Sequence, residues 1–208
     1  MLAIIVLGVF ALYLLVSLGV VLGTYRIAKR RGVPPKRARR AAGIAGLIMY
    51  LLLFWDWLPT VVARQYYCKT QGGLVVTKTL DQWKAENPGV AETLTWKAIP
   101  DKGDSTYDRA TGNQTYFLNE RFLWEIRHRD LPLLPVTVTE NRLIDRKTTE
   151  VLARQVNVGT GYGNPMVGED WRGWKGWLDL GPCDGPNNPS YAKFEKIEDA
   201  AKKLGVQR

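Results

Sequence analysis

Two long apolar runs bracket a short basic segment at the start of the chain: residues 2–25, then Arg26 to Arg40, then residues 41–63. A helix of about 20 residues rises far enough, at about 1.5 Å per residue, to cross the roughly 30 Å hydrocarbon layer of a bilayer. The intervening segment carries Arg26, Lys29, Arg30, Arg31, Lys36, Arg37, Arg39 and Arg40 and no acid. Such a charge bias holds a short loop on the cytoplasmic side of a membrane. The expectation is a membrane α-hairpin of two transmembrane helices over 1–63, with a basic cytoplasmic loop at 26–40 and the N-terminus outside. Everything in 64–208 would then be extracytoplasmic. A cleaved leader needs early positive charge and a small-x-small site; the first run has neither before Arg26, so it is expected to remain as an anchor.

Charge has to be read against this partition. The chain is +9, but eight of its 29 basic residues lie in the loop, and Asp56 is the only acid before residue 64. The rest is close to neutral, so the basic excess points to the anionic headgroups of a bilayer, and no nucleic-acid partner is expected. Small residues four apart, Gly19 and Gly23 in the first run and Ala42 and Gly46 in the second, predict that the two helices pack on each other. Trp55, Trp57, Tyr66 and Tyr67 around Pro59 suit the headgroup level at the outer end of the second run. Asp56 has no second acid or histidine nearby for a proton relay, and Arg64 or interfacial water is its expected neighbour.

The two cysteines, Cys68 and Cys183, both fall on the expected outer side and bracket most of the chain beyond the second run. In an oxidising compartment they read as one disulfide. With a single histidine besides, they supply no metal set, and no cofactor motif is present. Gly159-Thr160-Gly161-Tyr162-Gly163 is followed by Asn164-Pro165 where a dinucleotide loop would open a helix, which leaves a glycine-rich turn. His128 is expected to be structural, and neither Ser105 nor Ser190 has the surroundings of a nucleophile.

Periodicity after Cys68 is mostly that of strands. Phe122, Trp124, Ile126 and His128 alternate with Leu123, Glu125, Arg127 and Arg129. Val136 and Val138 alternate with Thr137 and Thr139; Arg142 to Asp145 and Val151 to Val158 flank the polar turn Arg146 to Glu150; Gly73 to Lys78 adds a further strand. Thr79 and Gln82 have capping-box spacing before a helix that must stop near Asn87, since Pro88 follows. From Ser190, the residues Tyr191, Phe194, Ile197, Ala201 and Leu204 form one apolar helical face, ending at Gly205. The fold class is therefore an α+β domain with a mainly antiparallel sheet and a C-terminal amphipathic helix, attached to the membrane hairpin. The polar stretch Asp101 to Asn113 is expected to be a mobile loop.

The stretch Glu169 to Trp177 places Trp171, Trp174 and Trp177 at intervals of three among Arg172, Lys175 and two glycines. Its glycines disfavour a regular helix. It suits an irregular loop that either packs as core or presents Trp171, Arg172, Trp174, Lys175 and Trp177 to a partner. With no catalytic, metal or cofactor residues assigned, the expectation is an inner-membrane-anchored protein with a periplasmic or otherwise extracytoplasmic binding domain. It would be a non-enzymatic accessory or immunity-type component whose partner is an envelope or membrane protein. The alternative is an envelope hydrolase acting on glycan or peptide, since paired carboxylates meet in space rather than in sequence.

Overall fold

A computed structural model describes residues 2–96, 105–163 and 171–207. The chain divides into two compact units, Met1–Pro59 with Asn164–Trp174, and Thr60–Gly163 with Lys175–Arg208. Among the described residues are five α-helices and a six-stranded antiparallel sheet.

The first unit is built on α1 (Leu2–Arg30) and α2 (Pro35–Phe54). The stretch Leu7–Arg30 of α1 is long and apolar enough to cross a membrane. Two of its polar side chains turn back on the helix: Ser17 Oγ donates to the Tyr13 carbonyl at 2.7 Å and Thr24 Oγ1 to the Val20 carbonyl at 2.8 Å. The helix closes with Gly32 in the left-handed region (φ 73°), where the amides of Gly32 and Val33 return to the carbonyls of Lys29 and Ala28. Pro35 then opens α2 at a position where its missing N–H costs nothing. On α2 the small residues do pack: Ala38 and Ala42 are buried, and Gly46 lies against Val21. Gly19 and Gly23 face open space, so the expected small-residue face exists on α2 and not on α1.

The second apolar run is not one helix. α2 stops at Phe54 and the chain resumes as α3 (Trp57–Thr70). Pro59 explains the break: it cannot donate to the carbonyl four residues earlier, that of Trp55, and its ring crowds that oxygen. Residues 41–63 thus divide between two helices, and α2 with α3 reach the length and hydropathy of a span only when counted together across the bend. Asp56 falls in the break and is fully buried.

In the second unit the sheet runs in the order β1 (Gly73–Val76), β7 (Val151–Thr160), β6 (Val136–Asp145), β5 (Phe122–Asp130), β4 (Gln114–Phe117), β3 (Ser105–Tyr107). β5, β6 and β7 form a meander in which Glu125 stands opposite Arg142 and Arg142 opposite Arg154. The β6–β7 turn is the polar Arg146–Glu150 stretch, closed by the Asp145 amide on the Glu150 carbonyl. Val136–Asp145 is a single strand where the sequence suggested two pieces, because β5 and β7 pair with it along its whole length. Of the Asp101 to Asn113 stretch, the part from Ser105 onward contains β3 and a turn in which Asp108 accepts from Ala110 N and Thr111 Oγ1. Asp101 to Asp104 lie outside the described residues.

One face of the sheet carries α4 (Leu80–Glu86) and α5 (Pro189–Lys202). α4 has the full capping box, Thr79 accepting from Gln82 N while the Gln82 side chain accepts from Thr79 N, and ends at Asn87. Trp83, Phe122, Leu143, Leu152, Ala153, Phe194 and Ala201 form the core under these helices. Burying a side chain of the size of Leu or Phe contributes about 1.5–3 kcal/mol. A polar chain crosses this core: Trp124 Nε1 donates to Asn141 Oδ1 (3.1 Å), Asn141 Nδ2 to Gln155 Oε1 (2.9 Å), and Gln155 Nε2 to Ser190 Oγ (3.2 Å) at the start of α5. After α5, Gly205 (φ 102°) leads into β8 (Val206–Gln207), which pairs in parallel with β2 (Thr95–Trp96).

The opposite face is divided. At one end α3 lies over Val136, Val138, Val156 and Val158 through Ala63, Tyr67 and Cys68, with Leu131, Leu134 and Cys183 completing the cluster. Beyond it this face carries Glu125, Arg127, Arg129, Glu140, Arg142 and Arg154.

Candidate functional site

The eight basic residues between the apolar runs, Arg26 through Arg40, are all exposed, at the end of α1 and in the first turns of α2. Four of them, Lys36, Arg37, Arg39 and Arg40, sit at a helix N-terminus, where cations oppose the helix dipole and no acid compensates. Local helix stability therefore does not account for their position.

Cys68 and Cys183 are joined, with Cα atoms 5.3 Å apart. The bond fixes α3 to the segment after β7, and Arg64 reinforces it by donating from Nη2 to the carbonyls of Pro182 (2.7 Å) and Gly181 (3.2 Å). The Arg64 guanidinium is thus engaged by backbone carbonyls.

The Trp171–Trp177 segment forms two short 3-10 turns, Trp171–Trp174 and Gly176–Leu178, in keeping with an irregular loop. Arg172, Trp174 and Trp177 are half-buried. In the first unit Trp174 stands edge-on to Phe10, with ring centroids 5.5 Å apart. In the second, Lys175 is buried with its ammonium 6.0 Å from the centre of the Tyr162 ring, and Leu178 is fully buried. Glu169 and Asp170 lie outside the described residues. His128 is exposed, its Nδ1 3.2 Å from Thr139 Oγ1. Gly161 and Gly163 have positive φ, as a turn requires.

A different place gathers polar chemistry. On the charged part of the sheet, a cleft of about 370 Å³ is lined by Gln71, Asn113, Arg127, His128, Arg129, Val138, Glu140 and Arg154. The two-residue strand period puts Arg127 and Arg129 of β5, Val138 and Glu140 of β6 and Arg154 of β7 on one face. Gln71 closes one side from just beyond α3, three residues after the disulfide, and Asn113 another from the β3–β4 turn.

Each of the three guanidinium groups donates one hydrogen bond to an oxygen of the protein. Arg127 Nη2 donates to Glu125 Oε1 at 2.9 Å, Arg129 Nη2 to Gln71 Oε1 at 3.2 Å, and Arg154 Nε to Glu140. Arg129 also lies over the Tyr67 ring, 5.4 Å from its centre. Arg142, beside the cleft, reaches Glu125 at 3.3 Å and Glu140 at 3.8 Å. A guanidinium has five N–H donors and no acceptor, so most donors of the three arginines remain available to a ligand. The lining residues carry three positive charges against the one carboxylate of Glu140. The arrangement can hold an acceptor-rich, negatively charged group by paired hydrogen bonds.

The sequence contained a signal for this site. The alternation over β5 put Arg127 and Arg129 on the face away from Phe122 and Trp124. Missing was the register that brings Arg154 and Glu140 beside them, which depends on pairings across three strands. Comparison with protein families, with curated proteins and with solved structures finds no match to this chain.

Proposed function

We propose that this chain is a membrane-anchored binding protein. The chain crosses the bilayer twice, by α1 and by the bent pair that begins with α2 and continues into α3, and its sheet domain stands outside the cytoplasm and binds an envelope or membrane protein. The observation that carries the reading is the separation of chemistry along the chain. Eight exposed cations are confined to the connection between the two apolar segments, and the disulfide joins Cys68, in the last turns of α3 and past the apolar run 41–63, to Cys183. The first suits anionic headgroups on the cytoplasmic side, the second an oxidising exterior. The cleft beside α3 is the contact surface on this reading.

Site-specific photo-crosslinking in native membranes tests it. A photoreactive residue replacing Thr115, on the same sheet face as the arginines, should capture a membrane or envelope protein. One replacing the exposed Lys193 on α5, packed against the other face, should capture none. Equal labelling from both positions, or none from either, contradicts the proposal.

A further inference from the structure

We infer that the cleft formed by Arg127, Arg129 and Arg154 is a carboxylate clamp that takes an acidic peptide segment of the partner. The inference rests on the reading of the sheet domain as a binding module and adds the chemistry of what is bound.

Three observations carry it. First, the cleft is unbalanced in hydrogen bonding. Arg127, Arg129 and Arg154 each spend one donor on an oxygen of the protein. Asn113 and Gln71 use their side-chain oxygens on His128 N and Arg129, which leaves both amide nitrogens as further donors. A ligand that completes the site must bring acceptors, as carboxylates and peptide carbonyls do.

Second, carboxylates already fit the arginines. Glu125 is held by Arg127 and Arg142, and Glu140 by Arg154 and Arg142, so each internal acid is shared between two guanidinium groups. Removing one arginine from either acid to a ligand leaves that acid its other partner, and engagement strands no internal charge.

Third, the arginines are accessible yet pre-oriented. The Arg127 and Arg154 side chains are 49 % and 39 % exposed. Arg129 is fixed by Gln71 and the Tyr67 ring, and Tyr67 is itself packed in the α3 cluster beside the disulfide. Less side-chain freedom is lost on binding when a planar fork is already held in place.

The test uses the full-length protein in detergent and a fluorescent six-residue polyglutamate peptide as probe, with polyglutamine of the same length and inorganic phosphate as comparisons. Saturable polyglutamate binding is expected, with no binding of polyglutamine. Arg127→Ala and Arg129→Ala should each weaken it about tenfold, as loss of a charged hydrogen bond does. Lys193→Ala, on the far side of the sheet, should leave it unchanged. Arg129→Lys keeps the charge without the fork and should fall between wild type and alanine, and an unchanged melting transition in each variant separates lost binding from lost fold. No saturable binding, an equal loss in Lys193→Ala, or phosphate that displaces the peptide as effectively as free polyglutamate would each overturn the clamp. Crosslinking from position 115 that persists in Arg127→Ala with Arg129→Ala would also overturn the clamp while leaving the binding module standing.

Discussion

The guanidinium of Arg121 donates through Nε to Oδ1 of Asp145 at 2.7 Å, with Asp145 only 1 % exposed. Trp83 Nε1 donates to the other oxygen at 2.8 Å, the Lys147 amide adds a third bond at 2.9 Å, and Arg121 Nη2 reaches Asn87 at 2.9 Å. This cluster ties α4 to the ends of β5 and β6. Burial alone would raise the Asp145 carboxyl, but Arg121, Trp83 and the Lys147 amide together hold it below its ordinary value.

Asp145→Asn is therefore expected to destabilise the sheet domain by about 3–5 kcal/mol, because it leaves a buried guanidinium without its counter-charge. The pH dependence has a definite sign. A carboxyl depressed in the folded state stabilises above its unfolded value, near 3.9, and that contribution is lost as pH falls further through the folded value. Wild-type melting temperature should drop in that acid range; the Asn variant should lack this component.

Glu198 is the opposite case. It is buried on α5, and burial is the main cause that raises its carboxyl above the ordinary value. The folded protein holds this proton more tightly than the unfolded chain, so stability falls as pH rises from the ordinary carboxylate value through the raised one. Glu198→Gln should then raise the melting temperature at pH 7 by a few degrees and change it little near pH 4. A lower melting temperature at pH 7 would mean that the ionised carboxylate is stabilising.

Gly205 tests the closure of the C-terminus. A Cβ there would lie 2.0 Å from the Leu94 carbonyl oxygen, and the residue has φ 102°. Gly205→Ala should cost more than about 1 kcal/mol and unpair β2 from β8. Thermal unfolding together with amide exchange in β2 checks both effects.

What the sequence made legible was local. The Thr79 and Gln82 cap, the α5 face of Phe194 and Ala201, the β6–β7 turn and the strand alternation of β5 depend on residues a few positions apart, and the structure has them all. Cys68 and Cys183 were legible because the chain has no other cysteine with which either could pair. The break at Asp56 was not, although Pro59 was in view, because apolar composition across residues 41–63 masked the lost backbone hydrogen bond. β3 and β4 were hidden by their polar sequence: β4 is held by pairing with β5, and the edge strand β3 by pairing with β4, rather than by an apolar face of their own. Glu198 was missed for a similar reason, a charged residue at a position that packing against the sheet buries.

The disulfide closes a loop of 115 positions. In the chain-entropy model this corresponds to about 5 kcal/mol, offset by any residual structure in the unfolded state. Cys183→Ser should lower the melting temperature of the sheet domain markedly, and it should loosen Gln71 at the rim of the cleft. A variant that melts as the wild type does would mean that Arg64 and the valine cluster hold α3 by themselves.

The central claim is that the apolar segments carry the sheet domain across a membrane, and it is tested most directly by paired reporter fusions in the intact chain. A reporter placed after Arg31 should be active only in its cytoplasmic form, and one placed after Gly112 only in its exported form. The reverse pattern, or cytoplasmic activity at both positions, would contradict the account and remove the oxidising surroundings that the disulfide requires.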